Sequence, residues 1–146
     1  MPQLYFLPAY IGSLKYYAKL IPALSARYDV RFLIVRQNDY KRRQMLAHCE
    51  QQGYNYEVVD GGFNQLRFRL PLITPTIKHF QRIQAARRFL KTRQPAKIVA
   101  TKVIAPHDIF IREALRQGVE VLVLQWSFVP VQRFFPDRLH HFSLFA

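Results

Sequence analysis

Two short clusters carry side chains suited to chemistry, and both stand where a strand-like run gives way to a helical pattern. His107 and Asp108 adjoin at one such junction and are the groups there best able to accept a proton. The same pair suits a plain helix start, since an acid in the first turn meets the positive end of the helix dipole. Gly12, Ser13 and Lys15 stand at another junction. Unpartnered N–H groups of a first helical turn, with a lysine close by, favour a phosphate, although Gly and Ser serve equally as a tight turn and a cap. A third segment, GGFNQLRFRLPLIT from Gly61 to Thr74, interleaves Phe63 and Phe68 with Arg67 and Arg69, and Lys78 and Arg82 follow it. Apolar side chains that dip into a membrane interface beside arginines that meet anionic heads would use this pattern, as would a further strand or a loop folded over a sheet. His140 and His141 are adjacent, as are His48 and Cys49, so neither pair has the spacing of metal ligands and no metal site is expected.

The bulk composition narrows the setting. At 146 residues and 50% hydrophobic content the chain is long enough for one domain with a real core. No apolar run approaches the roughly 18 to 20 residues that span a bilayer, and no basic-then-hydrophobic leader opens the sequence, so a cytoplasmic protein is expected, peripheral on the inner face of the membrane if it binds one. Cys49 is the single cysteine, which excludes an internal disulfide and reads as a small core residue. The net charge of +13 is unevenly placed. From Asp60 to Asp108 no acid intervenes, while ten basic residues from Arg67 to Lys102 do, a field that attracts phosphates, anionic lipid heads or nucleic acid unless it is only a solvated face.

Continuous apolar runs predict strands at Gln3 to Leu7, Val30 to Val35, Tyr56 to Val59, Ile98 to Thr101 and Val119 to Gln125, as in a parallel sheet covered on both faces. Helical patterns separate them. The first is expected to be capped by Ser13, to bury Leu14, Tyr17, Ala18, Ile21 and Leu24, and to kink or break at Pro22. A second starts at Asn38 or Asp39 and stops at Gly53, with Met45, Leu46 and Cys49 inward. A third starts at Thr74–Pro75 with Phe80, Ile83, Ala86 and Leu90 at core spacing until Pro95, and a fourth runs from about Pro106 to Gln117, burying Phe110, Ala114 and Leu115. The alternation predicts an α/β fold: a single Rossmann-like, doubly wound parallel sheet of about five strands with helices on both faces, whose ligands sit beyond the carboxyl ends of the strands. Pro8–Ser13, Gly61–Thr74 and Lys102–Asp108 then share one rim.

The segments LPAYIGSLKYYAKLIPALSARYDVRFLIVR and AKIVATKVIAPHDIFIREALRQGVEVLVLQWSFVP resemble the N-terminal, acceptor-side half of GT-B fold glycosyltransferases, over roughly Leu4 to Pro130. The resemblance implies a Rossmann-like domain at 1–130 and an aromatic tail or linker at 131–146 that leads toward a missing second domain. In that family the active site lies in the cleft between two such halves, and the C-terminal one holds the nucleotide-sugar donor. Without that half, this chain is expected to bind no cofactor and to catalyse no transfer alone; its partners would be the missing domain or a partner subunit, a saccharide acceptor and an anionic membrane surface. Within the implied reaction His107 or Asp108 is the candidate base for the acceptor hydroxyl, Gly12, Ser13 and Lys15 approach the leaving diphosphate, and Phe63, Arg67, Phe68, Arg69, Lys78 and Arg82 face the membrane or acceptor.

Two other classes compete. A nucleic-acid-binding α/β module would use the same positive field, but no helix-turn-helix, zinc-finger or RNP-like spacing accompanies it. A sugar-nucleotide-binding domain of an epimerase type is the other, although no G-x-G-x-x-G follows the first strand, where Gly12 stands alone.

Overall fold

The computed structural model describes residues 1–35, 39–59, 74–101, 106–125 and 139–143. In chain order these form β1 (Gln3–Leu7), α1 (Ile11–Ala18), α2 (Ile21–Leu24), β2 (Asp29–Ile34), α3 (Tyr40–Gln52), β3 (Tyr56–Val58), α4 (Thr74–Arg93), β4 (Lys97–Ala100), α5 (His107–Arg116), β5 (Glu120–Gln125) and β6 (Leu139–Ser143). All six strands join one parallel sheet in the order β3-β2-β1-β4-β5-β6. The five expected strands are present, and β6 adds a sixth out of the aromatic tail, with Val121 opposite Leu139 and Gln125 opposite Ser143.

Alternation along each strand sorts side chains to two cores, which is why the strands read as unbroken apolar runs. On one face Tyr5, Leu7, Leu33, Ile98 and Val121 pack against Ala86 and Leu90 of α4 and Phe110 and Ala114 of α5. On the other Leu4, Phe6, Phe32, Ile34 and Val99 meet Leu14 and Tyr17 of α1 and Met45 and Cys49 of α3. Burial pushes the Cys49 thiol up to about 11, so it stays protonated and inert near neutrality.

Helix ends follow local chemistry. Asp39 caps α3, its carboxylate accepting from the Arg42 N–H at 2.9 Å, and Gly53 closes the helix at φ +67°, a conformation that costs other residues about 1 kcal/mol or more. Asp39→Ala is expected to lower stability by about 1 kcal/mol in urea unfolding, with an unchanged m-value.

The break that Pro22 marks is present: the first helical segment is two helices, parted at Lys19 and Leu20, and Pro22 sits in the first turn of α2, where its missing N–H breaks no hydrogen bond. Two expectations need correction. Ser13 is not a cap but the third residue of α1, whose N-cap is Tyr10. Phe80 is not a core residue: it is 60% exposed, and Ile77 is 45% exposed, because both lie around the helix from the side that carries Ala86, Phe89 and Leu90 onto the sheet.

Two polar networks brace the α4 face. The Glu113 carboxylate on α5 is buried and accepts from Arg87 of α4 and from Arg116, each at 2.7 Å. Glu57 of β3 accepts from the Tyr5 hydroxyl at 2.8 Å, Arg31 at 2.9 Å and Arg93 at 2.8 Å, tying three strands to the end of α4. Burial, then the Glu57 carboxylate, holds the Tyr5 phenol above its usual range.

Candidate functional site

The strand order reverses between β1 and β4, the place where an open α/β sheet has a crevice at its carboxyl end. Leu7 pairs with Ala100, so the turn into α1 and the turn toward α5 leave the sheet side by side. Gly12 and His107 therefore lie at the same end of the sheet, each in the first turn of its helix. Both helix N-termini aim leftover N–H groups and positive dipole ends toward this rim. Helix α4 also begins there, since it follows β3, and its first residue, Thr74, closes the third expected rim segment. Phe63, Arg67, Phe68 and Arg69, in that segment, lie outside the described residues.

Around the β1 turn, the Ser13 hydroxyl accepts from the N–H groups of Ala9 at 3.0 Å and Tyr10 at 3.2 Å and donates to the Tyr10 carbonyl at 2.7 Å. Ser13 is fully buried, so its hydroxyl shapes the turn from inside. Gly12 and Lys15 are exposed and three residues apart, which puts them on one side of α1. A Cβ at Gly12 would come within 2.7 Å of the Tyr10 ring, so any larger residue there must displace that ring.

On the β4 side, His107 opens α5 and is only 2% exposed, while Asp108 occupies the first turn of the helix. Asp108 makes no capping bond: the N-cap is Pro106, without a side-chain hydrogen bond, and the Asp108 Oδ1 atom is buried with no hydrogen-bond partner among the described residues. A cap pair was one reading of these two residues; the helix-dipole part of it fits, the hydrogen-bonded part does not. Lys78 and Arg82, on α4, are both partly buried.

The sequence reading missed Tyr17 and Thr101. Tyr17 stacks on Phe6 with ring centroids 4.5 Å apart and is wholly buried, and Thr101, directly after β4, is 2% exposed. Burial raises the Tyr17 phenol far above its usual range, with the Thr101 hydroxyl nearby opposing the shift. The two hydroxyls are neighbours, yet neither atom completes a well-formed hydrogen bond among the described residues. Their closeness pairs the last turn of α1 with the carboxyl end of β4. A tyrosine at helical core spacing gives no hint of this, and the only signal available in sequence was a threonine at the carboxyl end of a strand.

A ligand at such a switch point would face two helix N-termini, beside the junction that carries His107 and Asp108. No protein-family profile and no curated protein matches the sequence. Three-dimensional comparison does find likenesses. The MurG structure from Acinetobacter baumannii matches 99% of this chain with a TM-score of 0.67 at 14% identity. A UDP-GlcNAc 2-epimerase from Neisseria meningitidis matches 94% with a TM-score of 0.58 at 13% identity. A UDP-glucosyltransferase from Polygonum tinctorium, able to glucosylate indoxyl, matches 86% with a TM-score of 0.56 at 16% identity. The shared fold is a Rossmann-like α/β domain with a parallel sheet. At these identities the likeness is one of fold alone, and the chain spans only 42%, 36% and 30% of the lengths of those three structures. Among the described residues no helix is long and apolar enough to cross a membrane.

Proposed function

We propose that this chain is the acceptor-binding half of a glycosyltransferase that acts on a lipid-linked or cell-envelope saccharide at a membrane surface, with the nucleotide-sugar donor held by a second Rossmann-like half or subunit. The observation that carries the reading is the meeting of the α1 and α5 N-termini at the β1/β4 crevice, with His107, Asp108, Tyr17 and Thr101 gathered at that end. The acceptor hydroxyl oxygen attacks the anomeric carbon of the donor, the bond from that carbon to the diphosphate oxygen breaks, and His107 takes the hydroxyl proton. Asp108 is the alternative base. Gly12 and Lys15, on the turn that Ser13 shapes, lie toward the leaving diphosphate, whose growing charge the helix N-termini favour. Phe63, Arg67, Phe68 and Arg69, with Lys78 and Arg82, meet the anionic membrane.

Vesicle binding tests the membrane part. The chain is expected to bind vesicles containing anionic lipid and not neutral ones, and the triple variant Arg67→Gln, Arg69→Gln, Lys78→Gln to bind about 100-fold more weakly, from about 1 kcal/mol per cation. Equal binding to neutral vesicles would remove that part of the reading. Retention on duplex DNA with a steep salt slope, undiminished in the triple variant, would favour a nucleic-acid module instead. The likeness to the epimerase supports a second reading, a sugar-nucleotide-binding domain of an epimerase type. Conversion of a nucleotide sugar without any acceptor, when the second half is supplied, would decide for it.

A further inference from the structure

A groove of about 660 Å³ lies between the edge strand β3 and helix α4, away from the β1/β4 crevice. Its volume falls in the range of small-molecule sites, roughly 300–1,000 Å³. Its two sides differ in chemistry. Val59, directly after the strand, with Ala85 and Phe89 of the helix, makes an apolar floor. Gln81, Gln84, Arg88 and Thr92, spaced at three and four residues and all exposed, make a polar lip along one row of α4. Phe80 stands at the end nearest the carboxyl rim, one turn from Ile77, and both are large apolar side chains left in solvent.

The charges in the groove are arranged for an anion. Glu57 contributes a carboxylate, but Arg31 and Arg93 both bind it and Tyr5 donates to it, so its charge is offset in place. Arg88 lines the groove and has no carboxylate partner among the described residues. Arg88 lies eight positions along the helix from Phe80, a run of about 12 Å at about 1.5 Å per residue. An apolar chain lying on the floor fits this layout, with an anionic head at Arg88 and a tail that leaves past Phe80 and Ile77.

We propose that the β3–α4 groove binds a lipid phosphate, head group against Arg88 and hydrocarbon chain along Ala85 and Phe89 toward Phe80. The site rests on the membrane-surface reading for its source of ligand, and on its own geometry for its location. It is separate from the crevice that holds His107, so occupancy does not depend on sugar transfer.

Isothermal titration of the full chain with farnesyl phosphate below its micelle concentration tests the assignment, with farnesol and inorganic phosphate as separate arms. Saturable binding of farnesyl phosphate is expected, at least tenfold tighter than farnesol and undisturbed by millimolar inorganic phosphate. Gln84→Trp fills the groove and Arg88→Gln removes the cation; both positions are exposed, so melting temperature should be kept. Each is expected to weaken farnesyl phosphate at least tenfold, and Arg88→Gln to leave farnesol unchanged. No saturable binding, binding unaltered by Gln84→Trp, or farnesol bound as tightly as its phosphate overturns the proposal. Vesicle binding lost in the Arg67, Arg69, Lys78 variant with farnesyl phosphate still bound separates this site from the membrane contact.

Discussion

His107→Gln is expected to lower sugar transfer by about 10²- to 10⁴-fold when the donor-binding half is supplied, the range over which a positioned proton acceptor acts. The position favours a large effect. His107 is nearly sealed from water, at 2% exposure, at the first residue of α5 and on the rim where the sheet order reverses. Glutamine keeps much of the volume and polarity and loses the basic nitrogen. The assay is incorporation of labelled sugar from the donor into a lipid-linked acceptor, with acceptor affinity measured in parallel. A loss in turnover at unchanged acceptor affinity is the expected outcome. Activity within threefold of the parent in both His107→Gln and Asp108→Asn would take both residues out of the chemistry.

Phe110→Ala should be the most destabilising of the substitutions considered, at about 3–5 kcal/mol. Phe110 has no solvent exposure and sits edge-on to Phe89, with ring centroids 5.6 Å apart, where α5 and α4 meet the sheet. Its removal loses transfer free energy, leaves a cavity and ends an aromatic pair worth about 0.5–1.5 kcal/mol. Against the 5–15 kcal/mol of an ordinary domain, that is a third or more of the total in many cases. Urea unfolding should show a lower midpoint with a similar slope. Phe80→Ala is the matched control: with the ring 60% exposed, the change should stay within about 0.5 kcal/mol. Equal losses in the two variants would contradict the packing described for α4.

That contrast shows where the sequence is informative. Phe80 and Ala86 are linked by three-residue steps through Ile83, but each step drifts around the helix, so the two stand about 120° apart; which arc meets the sheet is a tertiary matter that the spacing does not contain. Strands were legible because both faces are covered, which leaves apolar runs such as FLIV at 32–35, and α3 was legible because Asp39 and Gly53 mark its ends chemically. The break before α2 was announced by Pro22, but its position at Lys19–Leu20 was not, because a proline does not say whether it ends one helix or begins another. In β6, LHHFS has two histidines at its centre, which erases the apolar alternation that would announce a strand. His107 and Asp108 were visible as types at a junction. Tyr17 and Thr101 were not, because the approach of their hydroxyls joins residues far apart in sequence.

The Arg87–Glu113 clasp has a mechanical consequence. It fastens the middle of α4 to the later turns of α5, and Arg116 secures the same carboxylate from the far side. Together with the Phe89–Phe110 contact, it couples any displacement of α4 to the helix whose opening residue is His107.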